Sequence, residues 1–200
     1  MDIDRYFDSE FAEHAAVTAA TQGALAEPFA RLVALATGAV RAGGKILLFG
    51  NGGSAADAHN IATEFAVRYK LDRDAIPAIG LTTDGAVLTA IGNDLGFERV
   101  FSRQVEALGR TGDVAIGLST SGRSANVIEG LRTARAMGLS TVGFGGGNGG
   151  RFAEVCDLML IVPSTTTARI QEMHIVLGQM LCGAVEIELG LVPAPVAEGS

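Results

Sequence analysis

Apolar runs and helix-patterned stretches alternate along most of this chain. Five short runs, at 45–50, 77–82, 114–118, 140–144 and 157–162, read as buried strands. Each is brief, apolar and bounded by glycine or hydroxyl residues, which separates it from a helix segment. Between them, apolar residues spaced three and four apart predict helices at 54–69, within 84–108, at 124–137 and at 168–189. Strand and helix in strict alternation predict an α/β fold, a doubly wound parallel sheet of five strands with helices on both faces. Residues 4 to 42 precede this pattern and read as helical, with Phe7 and Phe11 one turn apart and Leu25, Phe29 and Leu32 continuing the stripe. Pro28 is expected to break that stretch or to open a new helix in its first turn.

Nearly forty helical residues exceed what a small sheet needs for cover, so they are expected to pack on another subunit. The organisation that follows is N-terminal helices for oligomerisation at 1–44, one α/β domain at 45–192 and a flexible tail at 193–200. Neither an internal repeat nor an interdomain linker interrupts it. The 27 glycines, the many alanines and the lack of tryptophan suit helices packed closely on a parallel sheet. A net charge of −7 argues against nucleic-acid binding through a basic surface. An anionic ligand must then be held by local loops and helix ends. Cys156 and Cys182 sit in apolar runs without metal or redox spacing, as buried thiols of a reducing compartment do. The acidic N-terminus lacks an apolar signal core, and the apolar stretch 173–185 is too short to span a bilayer. A cytoplasmic protein without a membrane segment is the expectation.

Two loops carry the candidate chemistry: Gly50-Asn51-Gly52-Gly53-Ser54 after the first strand, and Ser119-Thr120-Ser121-Gly122-Arg123-Ser124 after the third. Each opens a predicted helix, whose first N–H groups and partial positive charge suit a phosphate. Hydroxyls add donors without bulk. The first loop matches part of a dinucleotide fingerprint, but the acidic residue that should follow at the next strand end arrives late, at Asp84. A small phosphorylated molecule fits two such loops better than a dinucleotide does. The glycine-rich turn 145–150 reaches the same sheet edge and is also explained as a tight connection.

Four segments resemble one family. Gly50 to Ala58, Gly92-Asn93-Asp94, Ser119 to Gly122 with Ser124-Ala125-Asn126-Val127, and Ala168 to His174 are similar, in order, to the phosphoheptose isomerases of the sugar isomerase (SIS) superfamily. The resemblance implies a flavodoxin-like SIS fold, conversion of sedoheptulose 7-phosphate to a heptose 7-phosphate through an enediol, and a homotetramer with sites at subunit interfaces. It implies that Ser119, Thr120, Ser121 and Ser124 hold the phosphate, and that Asn51, Gly52, Gly53, Ser54, Asn93 and Asp94 line the sugar. Gln171 would touch substrate and metal, and Glu64 would be the base that moves a proton between C1 and C2. Gln179 stands at the second catalytic position.

The family's zinc would use Glu64, Gln171 and two histidines. Their positions here hold Asn60 and Gln179, which offer only neutral carbonyl oxygens and cannot carry a proton near neutrality. A histidine does occur one residue earlier, at His59, but one residue turns a side chain by about 100° around a helix. His174 is open between a polar group of the pocket and a packed histidine, and His14 is read as exposed or interfacial. Two readings follow: an isomerase that works without tightly held zinc, and a noncatalytic SIS protein that binds a phosphosugar or a protein, as a replication-initiation regulator of the superfamily does.

Overall fold

The computed structural model describes residues 1–194. The expected tail at 193–200 falls almost wholly outside the described residues. Five strands, β1 (Ile46–Gly50), β2 (Ala78–Gly80), β3 (Val114–Leu118), β4 (Ser140–Gly146) and β5 (Leu158–Val162), form one sheet in the order β2-β1-β3-β4-β5. Every pairing is parallel. Six α-helices surround it: α1 (Ile3–Arg41), α2 (Gly53–Ala66), α3 (Gly85–Asp94), α4 (Ser102–Leu108), α5 (Ala125–Ala136) and α6 (Thr167–Glu188).

Side chains alternate across β1, and the core divides accordingly. Ile46 and Leu48 join Ile116, Phe144, Leu160, Phe65 and Leu181 under α1, α2 and α6. Leu47 and Phe49 join Phe101, Val105, Val127 and Leu131 under α4 and α5. Two-sided burial is why these strands read as continuous apolar runs. Each large side chain so buried contributes about 1.5–3 kcal/mol.

The strand starts are tied by carboxylates. Asp113, 2% exposed, accepts from the backbone N–H of Lys45 at 2.9 Å and of Arg110 at 2.8 Å, and pairs with Lys45 Nζ at 2.5 Å. Asp157 accepts from the N–H and the hydroxyl of Thr141, both at 2.9 Å.

Pro28 does not break the N-terminal helix: α1 is continuous for 39 residues with the proline inside. The proline costs the chain one N–H bond to Ala24, whose carbonyl lies on the exposed face, while Leu25 and Leu32 anchor the turns on either side in the core. By length and composition α1 could cross a bilayer, but its apolar stripe packs on α6 and β5.

Candidate functional site

β1 lies between β2 and β3, so the crossover direction reverses at the β1–β3 pair. A crevice opens there beyond the strand ends, where ligands of such sheets bind. The loops after β1 and β3 flank it, as the two glycine-rich signatures require.

The helix starts differ in how they are capped. α1 and α3 begin with Asp2 and Asp84, whose carboxylates accept from Arg5 and Val87 N–H groups. α2, α5 and α6 have no side-chain cap bond and no acidic residue in the first turn. The starts of α2 and α5 thus carry no capping carboxylate, while Glu13 of α1 approaches that of α6, and all three helices start at the C-terminal edge of the sheet. At the α5 start the Oγ atoms of Ser119 and Ser124 lie 3.0 Å apart. A cavity of about 880 Å³ is lined by Thr120, Ser121 and Arg123, by Gly146 at the end of β4 with Gly147 and Asn148 beyond it, and by Pro163 to Thr167 before and at the start of α6. Glu13 of α1 also lines it and accepts from the Thr166 hydroxyl at 2.6 Å.

The loop after β3 keeps its shape through close backbone contact. Gly122, with φ +61°, lies against the Gly149 carbonyl, and Gly150, with φ +56°, lies against the Ser121 and Gly122 carbonyls. Arg151 donates its N–H to the Gly122 oxygen at 2.8 Å. The turn that the sequence left open between two explanations thus buttresses the hydroxyl loop.

On the other side of the crevice Gly53, the first residue of α2, touches the Gln171 amide with no room for a Cβ. Gln171 shares a smaller cleft with Asp57 and Glu172. Asp57 has one buried carboxylate oxygen without a partner, and burial pushes this acid up to about 6. Glu64 is half-buried further along α2. Its turn is held by Arg73, which donates to the carbonyls of Glu64 at 2.8 Å and Phe65 at 2.7 Å and pairs with Glu186 at 2.8 Å, both side chains of the pair being buried.

Asn51 is half-buried and Gly52 and Gly53 are exposed, whereas Ser54 and Ser119 are buried. Asn93 and Asp94 are exposed at the end of α3, bonded to each other at 2.7 Å and outside these cavities. Gln179 is half-buried on α6. His174 is a packed histidine: it is wholly buried, its Nε2 lies 3.1 Å from the Gly145 oxygen, and burial lowers it to about 4. His14 lies 2.8 Å from the Glu172 carboxylate. Sequence reasoning missed Arg123 as a pocket residue, Asp57, Glu13 and the run Ser164 to Thr167. That run carries the same signal as the other loops, hydroxyls between an apolar strand and a helix.

The donor set does not suit zinc. His59 and Asn60 are exposed on α2, and the His59 backbone lies over Gly80 of the edge strand. One carboxylate and three neutral amides remain at the family's positions, and among the described residues no three His, Cys, Asp or Glu side chains gather to hold a metal.

Residues 10–146 match the SIS domain family. The chain is 54% identical over 186 residues to the phosphoheptose isomerase of Paramagnetospirillum magneticum, covering 93% of this chain and 97% of that one. It is 59% identical over 144 residues to that of Burkholderia pseudomallei, covering 72% and 73%. Among solved structures, the phosphoheptose isomerase of Neisseria gonorrhoeae superposes with a TM-score of 0.87 at 41% identity, covering 92% of this chain and 99% of that one. The one from Francisella tularensis gives 0.90 at 31% identity, covering 94% and 100%.

Proposed function

This chain belongs to the phosphoheptose isomerases of the SIS domain family, and on that footing we propose that it interconverts sedoheptulose 7-phosphate and D-glycero-D-manno-heptose 7-phosphate with Glu64 as the base. The C7 phosphate binds the hydroxyls of Ser119, Thr120, Ser121 and Ser124 and the uncapped start of α5. Asn51, Gly52, Gly53, Ser54, Asn93, Asp94 and Gln171 receive the sugar chain. Glu64 takes a proton from C1 of the ketose. The electron pair of that C–H bond becomes the C1–C2 double bond, and the former carbonyl oxygen gains a proton to give the enediol. Glu64 then returns its proton to C2 while O1 loses one, which leaves the aldehyde. A positioned base of this kind contributes about 10²- to 10⁴-fold.

Gln179 can orient an oxygen by hydrogen bonding but cannot exchange a proton near neutrality, so water carries the proton between O1 and O2. No step runs through a metal, because the donors at the family's positions do not fit one. The protein acts in the cytoplasm as a homotetramer. The exposed Phe7 and Phe11 of α1, and an apolar groove between α1 and α6 lined by Leu25, Phe29, Met173 and Met180, support that assembly.

The observation that carries the reading is that α2 and α5 start uncapped beside the two glycine- and hydroxyl-rich loops, where α1 and α3 start on capping carboxylates, on a sheet edge from which α2 leads to Glu64. The test is turnover of sedoheptulose 7-phosphate with added zinc and with chelator in parallel. Chelator-insensitive turnover, lost by about 10²-fold or more in Glu64→Gln with phosphosugar binding retained, is expected. Binding without turnover in the unaltered protein rejects the isomerase and leaves a phosphosugar-binding protein.

A further inference from the structure

The two loops of the crevice are joined by a pair of side-chain amides. Asn51, after β1, donates Nδ2–H to Oδ1 of Asn126 at 2.8 Å, and Asn126 donates Nδ2–H back to Oδ1 of Asn51 at 2.9 Å. Asn126 lies in the first turn of α5 and is 3% exposed. The residues are 75 positions apart in sequence, so only the fold brings them together. They bridge the strand ends where Gly50 pairs with Leu118, which is the switch point itself.

Two reciprocal bonds between flat groups fix separation and relative plane, where one bond would leave both free to swing. Only oxygen-to-nitrogen matching at both contacts satisfies the pair, so each amide dictates how the other is turned. An unmade bond would leave a donor or an acceptor of the buried Asn126 uncompensated, which favours closing both bonds together.

Resting on the isomerase reading of the same site, we propose that Asn126 is a positioning residue. Through Asn51 it holds the start of α2 at a set distance from the phosphate loop. One substrate spans both loops: its phosphate sits on the β3 side, and its reacting carbons must reach Glu64 on the α2 side. The spacing of the loops therefore sets where C1 and C2 fall relative to the carboxylate. Misplacement by about 1 Å is enough to cost on the order of 10²-fold in rate.

Asn126→Asp tests this, with Asn126→Leu beside it. As a carboxylate, the new side chain still accepts from Asn51 Nδ2 but cannot donate to Oδ1, and it sets two oxygens against each other. Once protonated it donates through O–H, and the two-bond ring closes again. At about pH 7.5, kcat for sedoheptulose 7-phosphate is expected to fall about 10- to 100-fold in both variants, with calorimetric affinity for inorganic phosphate within about twofold of the unaltered protein in Asn126→Leu, which adds no charge to the first turn of α5. As the pH is lowered to about 5, the activity of Asn126→Asp relative to the unaltered protein rises, while that of Asn126→Leu does not. An unchanged kcat overturns the proposal. Parallel loss of kcat and phosphate affinity in Asn126→Leu, or no recovery of Asn126→Asp in acid, also overturns it, since a packing role alone gives that result. Should Asn126→Asp fail to fold, Asn51→Asp carries the same chemistry from the other side of the pair. If the unaltered protein turns nothing over, the isomerase reading fails by itself. The ratio of sedoheptulose 7-phosphate affinity to inorganic phosphate affinity then decides the pair: it falls in Asn126→Asp and recovers in acid, or the proposal is wrong.

Discussion

His174 and Asp57 pull the pH dependence of stability in opposite directions. His174 is buried under Phe144, and loss of solvation holds it at about 4 against 6.5, partly offset by its bond to the Gly145 carbonyl. The unfolded chain takes up that proton at higher pH than the folded one. The contribution of the neutral imidazole is thus complete above 6.5 and is lost as pH falls toward 4, to a limit of about 3 kcal/mol. Asp57 is raised to about 6 from 3.8, so there the folded state binds the proton first and stability grows as pH falls through that window. Its half-exposed setting makes this the smaller effect. The midpoint of urea unfolding should therefore drop between about pH 7 and pH 5. In His174→Gln, which keeps a donor but does not titrate, the drop should flatten. An equal drop in both proteins would place the acid sensitivity elsewhere. Neither residue's role was legible in the sequence, because each depends on a partner or a lack of one across the fold. The places of Glu64 on α2 and of the serines beyond β3 were legible because they sit inside short continuous motifs.

Among the elements, strands and helices were the readable part. Two-sided burial makes each strand an unbroken apolar run, and glycine or hydroxyl residues mark its end, so the expected boundaries fall within a few residues of the observed ones. Pro28 misled because a local penalty was set against tertiary anchoring at Leu25 and Leu32, and the anchoring won. The turn at 145–150 was undecidable for a related reason: its glycines face the backbone of a loop more than twenty residues earlier. That contact makes a definite demand. Gly150→Ala places a Cβ against two carbonyls at positive φ, and a loss of about 1–3 kcal/mol in stability is expected. Phosphate affinity should weaken with it, as the hydroxyl loop loses its support. Calorimetry showing full phosphate affinity in a destabilised protein would separate the two and deny the buttress a part in binding.

At the level of the whole molecule, the acidic chain builds the proposed phosphate site from uncapped helix starts and hydroxyls, with Arg123 a cation lining the pocket. The doubly wound topology was fully legible, since strict alternation of elements admits few arrangements. The proposed contacts between copies were suggested in the sequence only by a surplus of helix. Phe7 and Phe11 meet as tilted rings with centroids 4.8 Å apart and stay 60% and 62% exposed. Phe11→Asp should therefore lower the mass measured by sedimentation, with helix content by circular dichroism unchanged; an unaltered mass would take this patch out of the assembly.

The carboxylate ties at Asp113 and Asp157 have one more consequence. They pin the starts of β1, β3, β4 and β5, while the ends of β1, β3 and β4 run into turns that contain glycine. Amide protons near Lys45 and Thr141 should outlast those around Gly122 and Gly150 in deuterated water, because opening the crevice breaks few bonds and opening the clamped end breaks the fold. The edge that carries the crevice can breathe, as entry and release at the proposed site would need, while the opposite edge keeps the sheet closed.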